Sequence, residues 1–183
     1  MPTFSRSAAP KRSRIAKWLC FVGVTLLCAC ATSKPLPDPC SLLTVADVEQ
    51  AQGNAYVDAT KSVKSSGGVT VSQCYFRLPE ASRSVTLELT RAASPHATRE
   101  LWERQFESKE KEKGDEGENE THGVEVKGIG DDAIWSGNRV SGALYVLTKD
   151  TILRISLGGI GTQELKVERA KMLARRVLPK LSE

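Results

Sequence analysis

The sequence predicts an α+β domain in which an antiparallel β-sheet is flanked by helices. Residues 84–91 alternate apolar and polar side chains, the period typical of a half-buried strand. Residues 142–149 and 151–157 are rich in Leu, Val, Ile and Tyr and predict a central hairpin. Residues 163–181 carry an apolar stripe at helical spacing, which predicts a helix that covers the sheet.

The N-terminal segment is typical of an export signal rather than of a folded element. Five basic residues lie in residues 1–17, an apolar run follows over residues 18–27, and no acidic residue precedes Asp38. The run is well short of the roughly 20 residues that a membrane-spanning helix needs. We therefore predict a signal peptide over residues 1–29, in preference to a transmembrane anchor or a buried core helix.

The apolar run ends in a thiol where export signals are cleaved. Leu27, Ala29 and Cys30 resemble the lipobox of bacterial lipoproteins, whose cysteine is acylated and becomes the first residue of the mature chain. The resemblance implies that Cys30 is the lipid attachment site. Cys28 is a poor competitor because Leu27 precedes it where a small residue is required. Several acyl chains, at about 0.8 kcal/mol per buried methylene, would hold the chain on a membrane.

The signal peptide accounts for the basic excess of the chain. The full sequence has 26 Lys and Arg against 22 Asp and Glu. Five of the basic residues and none of the acidic ones precede Cys30, so the remaining chain of about 154 residues is nearly neutral. This length predicts a single domain. The charge balance removes the argument for nucleic acid as a partner.

Two thiols remain in the mature domain, Cys40 and Cys74, because Cys20 and Cys28 leave with the signal peptide. In an exported chain an isolated pair predicts a disulfide bond. The alternatives are a metal-binding pair or a catalytic thiol. Both are disfavoured because no His or second CxxC motif accompanies either cysteine.

The predicted organisation is a signal peptide (1–29), a lipidated cysteine with a Pro-rich tether (30–39) and one α+β domain (40–183). Three prolines between residues 35 and 39 favour an extended, polyproline-like chain. Ala31 lacks the acidic side chain that in Gram-negative lipoproteins signals retention at the inner membrane. That family rule predicts the outer membrane, at its periplasmic face or surface, or the outer face of the cell membrane in other bacteria.

The domain is predicted to begin with a short helix and a loose segment. Thr44 and Asp47 have capping-box spacing and Gly53 is placed to end the helix, so we predict a helix over residues 44–52. Residues 53–68 show no apolar period and end in small residues, which predicts a loose stretch with an exposed turn.

Two strands and a second helix are predicted next. The strands cover residues 69–78 and 84–91, and Ser94-Pro95 predicts the start of a helix. Residues 107–121 lose the apolar pattern and predict a solvated, charged loop. The predicted buried side of the helix consists of Ala97, Leu101, Trp102 and Phe106.

The last third of the chain repeats strand patterns and ends in a helix. Short strands are predicted at 124–126 and 133–135, on either side of a glycine-containing turn, and the central hairpin follows. Thr162 is placed to cap the final helix. Its predicted apolar stripe consists of Val167, Ala170, Leu173, Ala174, Val177, Leu178 and Leu181.

Several of these motifs together resemble a known family. The chain is similar to small secreted bacterial lipoproteins of unknown function in four places: the run 38–44, the pair Cys74-Tyr75, the run 128–135 and the hairpin 144–157. The resemblance covers nearly all of the mature chain and implies a PsbP-like α/β/α sandwich. It implies no catalytic residue.

One candidate binding loop stands out, the run from Gly128 through Gly130 to Asp131 and Asp132. Glycines let a ligand approach the backbone closely, and paired carboxylates could bind a cation or a basic group of a partner. The alternative is a plain turn with two capping or solvent-facing carboxylates.

The motifs of common catalytic sites do not occur in the sequence, and His96 and His122 lack an adjacent nucleophile or carboxylate pattern. We therefore predict a protein that is not an enzyme and uses neither cofactor nor metal. It would bind a protein partner in the cell envelope, as an accessory module or as an inhibitor or immunity protein. The alternative is a carrier or sensor with a small-molecule cleft between sheet and helix.

Overall fold

A computed structural model describes residues 35–106, 123–138, 140–159 and 161–181. The predicted signal peptide, the lipid attachment site Cys30 and the predicted charged loop at 107–121 lie outside the described residues. Among the described helices, none is long and apolar enough to cross a membrane.

The described chain forms a seven-stranded antiparallel sheet with three α-helices, which confirms the predicted α+β fold. The strand order is β1-β2-β3-β7-β6-β5-β4, so the predicted hairpin of β6 and β7 is central. The helices are α1 (Val45–Gln52), α2 (Pro95–Phe106) and α3 (Gln163–Leu181); the strands are β1 (Asp58–Ser66), β2 (Val69–Arg77), β3 (Val85–Ala92), β4 (Val124–Glu125), β5 (Asp132–Gly137), β6 (Gly142–Leu147) and β7 (Ile152–Leu157).

The helices cover both faces of the sheet. Because successive strand residues point to opposite faces, Leu153 and Ile155 of β7 pack in the main core with α1 and α3. Ile152 packs on the other face against Trp102 of α2. The main core is fully buried at residues such as Leu173. Side chains therefore fill the main core between the sheet and α3, and the alternative expectation of a small-molecule cleft between sheet and helix stays a prediction.

The first helix begins and ends as predicted. The Thr44 hydroxyl accepts a hydrogen bond from the Asp47 amide at 3.2 Å, and the Asp47 carboxylate accepts one from the Thr44 amide at 2.9 Å, which completes a capping box. Gly53 ends the helix with φ of 77°, a left-handed conformation that glycine adopts without steric cost.

The capping box makes stability depend on pH. Partial burial raises the pKa of Asp47, but the hydrogen bonds from Thr44 and the charges of Arg176 and Lys180 together hold it below its ordinary value of 3.8. The carboxylate therefore stabilises the fold above about pH 4, and this contribution is lost as the pH falls through the folded-state pKa. Asp47→Ala should lower the free energy of unfolding by about 1 kcal/mol at pH 7. Urea unfolding at pH 7 and pH 3 should show that difference shrinking in acid, whereas a constant difference would contradict the assignment.

Strand β1 is the largest departure from the sequence-based expectation. Residues 53–68 were expected to be loose, but Asp58–Ser66 pairs with β2 along its whole length. Every residue of β1 is exposed, so the strand carries none of the apolar alternation by which strands are recognised. Only the predicted turn is confirmed, at Gly67 and Gly68, which have φ of 57° and 77°.

The other helices follow the predicted patterns. Ser94 accepts a hydrogen bond from the Ala97 amide at 3.1 Å at the start of α2, and Trp102 is buried. Thr162 accepts one from the Leu165 amide at 3.3 Å at the start of α3. The apolar stripe of α3 is buried at Ala170, Leu173, Ala174 and Val177.

A disulfide bond joins Cys40 to Cys74, with the Cα atoms 5.1 Å apart, as predicted. It fastens the 3-10 turn Pro39–Ser41 to the middle of β2. The domain also starts earlier than the predicted boundary at Cys40. Leu36 packs against the main core, and Pro39 is buried.

Candidate functional site

The predicted binding loop connects β4 to β5 and lies at one end of the sheet. Gly130 has φ of 64°, and a β-carbon there would lie 2.6 Å from the Leu147 carbonyl oxygen. The Asp131 amide donates a hydrogen bond to that same oxygen at 2.8 Å. The glycine therefore lets the loop close tightly against the end of β6.

This loop forms one wall of an open cleft of about 730 Å³, which we call the end cleft. Its other walls are the β6–β7 turn at 148–150, Arg91 at the end of β3, and Arg175, Leu178 and Leu181 near the end of α3. We call this end of the sheet the cleft end. The opposite end carries the 3-10 turn Ala81–Arg83 and the connection from β7 to α3.

The two carboxylates of the loop do not act as a pair. Asp131 lines the end cleft, whereas Asp132 accepts a hydrogen bond from the Trp102 indole at 3.0 Å on the α2 face. The two carboxylates therefore have different surroundings, the end cleft for Asp131 and the α2 face for Asp132. Within the described ranges, no three His, Cys, Asp or Glu side chains are placed to hold a metal ion.

Arg91 is the main residue of the end cleft that sequence reasoning missed. Its side chain is buried and donates to the Thr151 hydroxyl at 2.8 and 3.1 Å. It also lies 3.2 Å from the Asp150 carboxylate. Thr98 of α2 donates to the Asp150 carbonyl at 3.3 Å. This network ties the tip of the β6–β7 hairpin to β3 and α2, so the cleft has a fixed wall.

A second cavity, of about 1,040 Å³, lies at the opposite end of the sheet and is lined mainly by apolar surface. Val140 at its rim is 74% exposed. Nearby, Lys166 is buried and donates to the Val140 carbonyl at 2.9 Å. Burial lowers the pKa of Lys166, and the charge of Arg169 lowers it further. Lys166 is four positions before Ala170 and so lies on the apolar stripe of α3. This spacing is a sequence signal from which its burial could have been predicted.

The outer edge of β1 is a second surface that sequence reasoning missed. β1 ends the strand order, so in the described part of the chain no strand pairs with its outer edge. The strand is fastened on its inner side, where Asp58 forms an ion pair with Arg77 and Lys61 lies 3.0 Å from Asp38. Lys64 and Val63, which is 54% exposed, are also on the surface. An unpaired edge of nine residues can accept a further strand.

No family model matches the chain, and no curated protein matches its sequence. Among solved structures, the crystal structure of the extracellular domain of PknH from Mycobacterium tuberculosis is similar to it. The TM-score is 0.48, at 10% sequence identity, over 80% of this chain and 98% of that chain. The resemblance to small secreted bacterial lipoproteins stays a prediction.

Proposed function

We propose that the protein is a lipid-anchored module of the cell envelope that binds a protein partner outside the cytoplasm and performs no catalysis. Export is supported by the pattern of residues 1–29 and by the lipobox that ends at Cys30. It is also supported by the disulfide between Cys40 and Cys74, because such bonds persist in oxidising compartments.

The observation that carries partner binding is the exposed edge of β1. The strand contributes no side chain to the main core, yet it holds nine residues in register with β2. A strand that adds so little to the core presents a row of backbone donors and acceptors at the sheet edge. Proteins bind extended segments of their partners by adding them to such an edge.

The side chains of β1 indicate which segments would bind. Lys61 and Lys64 lie on opposite faces of the strand, because their positions differ by an odd number. Lysines on an edge strand disfavour indiscriminate pairing. Lys61 is already paired with Asp38, so a carboxylate of an incoming strand would instead lie opposite Lys64. The preferred partner is therefore an envelope protein with an extended acidic segment, bound by the module as an accessory factor or as an inhibitor.

Cys30→Ser tests the anchor. We expect the variant to leave the membrane fraction and to remain folded, since the described domain does not include residue 30. Fractionation followed by immunoblotting measures the distribution. Cys28→Ser is the matched control and should stay with the membrane. Tight membrane association of the Cys30 variant would show that the anchor lies elsewhere.

Photo-crosslinking in intact cells tests the partner surface. A photoreactive residue at Ser62 in β1 should give a discrete adduct with one envelope protein, whereas the same residue at the exposed Glu49 of α1 should not. Lys64→Glu should reduce the Ser62 adduct severalfold, because the acidic partner is then repelled while the ion pair of Lys61 with Asp38 is kept. Equal adducts from both positions, or an adduct insensitive to charge reversal, would rule out edge-strand binding.

A further inference from the structure

The chain enters the domain at the cleft end of the sheet. Pro35 and Leu36 line a small cavity together with Gly68 of the β1–β2 turn and with Arg91. Arg91 also lines the end cleft, so the entering chain and the end cleft share one side chain. From there the chain runs along the strands towards the disulfide at Cys40, in the middle of β2. The direction of entry is therefore fixed.

The tether is short compared with the domain. Pro35 is five positions after Cys30, and five steps of 3.3–3.6 Å reach at most about 18 Å. The eight residues of β3 alone span about 27 Å. The tether is therefore long enough to bring a lipid on Cys30 to the cleft end but too short to reach the opposite end of the sheet.

The cleft end carries basic side chains that lie outside the ion pairs of the described residues. Four exposed residues from four different segments lie there: Lys64, Lys127, Lys149 and Arg175. None of them forms an ion pair with another described residue. Of the three aspartates in the loops and strand ends here, Asp150 is paired with Arg91 and Asp132 accepts the hydrogen bond from the Trp102 indole, which leaves Asp131 exposed. The exposed acids Glu80 and Glu164 lie at the opposite end.

We propose that the cleft end lies against the membrane that holds the anchor, and that Lys127, Lys149 and Arg175 contact the phosphates of its lipid headgroups. The proposal rests on the proposed acylation of Cys30. Clustered Lys and Arg side chains beside an anchor are attracted to anionic lipid within a Debye length. The edge of β1 then stands roughly along the membrane normal, with Ser66 near the lipid and Asp58 away from it.

The orientation can be measured on the full acylated chain in vesicles of phosphatidylcholine and phosphatidylglycerol. A fluorophore on Lys149→Cys, at the cleft end, should be quenched by headgroup-labelled nitroxide lipid at least roughly threefold more than one on Glu80→Cys, at the opposite end. Equal quenching, or stronger quenching at residue 80, would overturn the orientation while the anchor stands. Failure of the chain to sediment with the vesicles would instead refute the anchor and the orientation together.

A second measurement isolates the contact with phosphate. A fluorophore on Ser65→Cys reports on the cleft end without removing a basic residue. Its quenching should increase with the fraction of phosphatidylglycerol and fall towards the residue 80 value when Lys127, Lys149 and Arg175 are all changed to Gln. Added inorganic phosphate should not reproduce that loss. If the triple variant is quenched like the parent, the tether alone orients the domain and the headgroup contact is wrong.

Discussion

Replacing Cys40 and Cys74 together by alanine is expected to lower the free energy of unfolding by about 4 kcal/mol. The disulfide joins residues 34 positions apart. In the chain-entropy model, opening a loop of that length raises the conformational entropy of the unfolded chain, which lowers stability by about 4 kcal/mol. The bond is also what holds the Pro39–Ser41 turn against β2. The chain that leads to the proposed anchor should therefore loosen from the sheet in the variant.

Urea unfolding of the oxidised parent, the reduced parent and the double alanine variant measures this effect. The reduced parent should be about as stable as the double variant, because both lack the crosslink. Since the reduced parent keeps its sulfur atoms, this agreement would show that the crosslink and not the packing of the sulfur atoms causes the loss. Thiol titration of the unfolded, unreduced domain should find no free thiol at these two positions. A change below about 1 kcal/mol would mean that the crosslink adds little.

Gly130→Ala is expected to destabilise the domain by about 2–5 kcal/mol. A left-handed backbone costs a residue with a side chain about 1–2 kcal/mol, and φ at Gly130 is 64°. The added β-carbon would also lie 2.3 Å from the Val146 side chain and 2.6 Å from the Leu147 carbonyl. Since the carbonyl belongs to β6 and accepts the Asp131 amide, relief requires the loop to move.

Gly128→Ala is the matched control in the same loop. Its φ is 77°, but a β-carbon there meets no atom within 4 Å. The control should therefore lose only the conformational part, about 1 kcal/mol. Thermal unfolding of both variants gives the comparison. Equal losses would show that the contacts of Gly130 with β6 are not what fixes the loop.

Sequence patterns predicted the elements that bury apolar surface. β3 alternates between buried and partly buried residues, and α3 buries the stripe that includes Ala170 and Leu173. Both periods are visible in the chain because burial selects apolar side chains. β1 was missed for the same reason, because all of its residues are exposed. Backbone pairing holds the strand, and such pairing does not require apolar side chains.

The candidate loop shows a similar division. Its glycines and its turn were recognised, because positive φ selects glycine. The different surroundings of the Asp131 and Asp132 carboxylates depend on which face of the sheet each one lies on where the loop joins β5. Trp102, which binds Asp132, and Arg91, which borders the same cleft as Asp131, come from segments distant in the chain. Local spacing contains no information about such contacts.

Residue patterns were enough to predict the α+β class, the helix caps, the disulfide pair and an export signal that ends at Cys30. Each of these features depends on residues that are close together in the chain or, for the disulfide, on how many cysteines remain in the mature chain. The strand order, the exposed edge of β1, the end cleft and the entry of Pro35 beside Arg91 became visible only in the folded chain. These features depend on long-range pairing between strands, where backbone hydrogen bonds and shape, rather than side-chain pattern, select the arrangement.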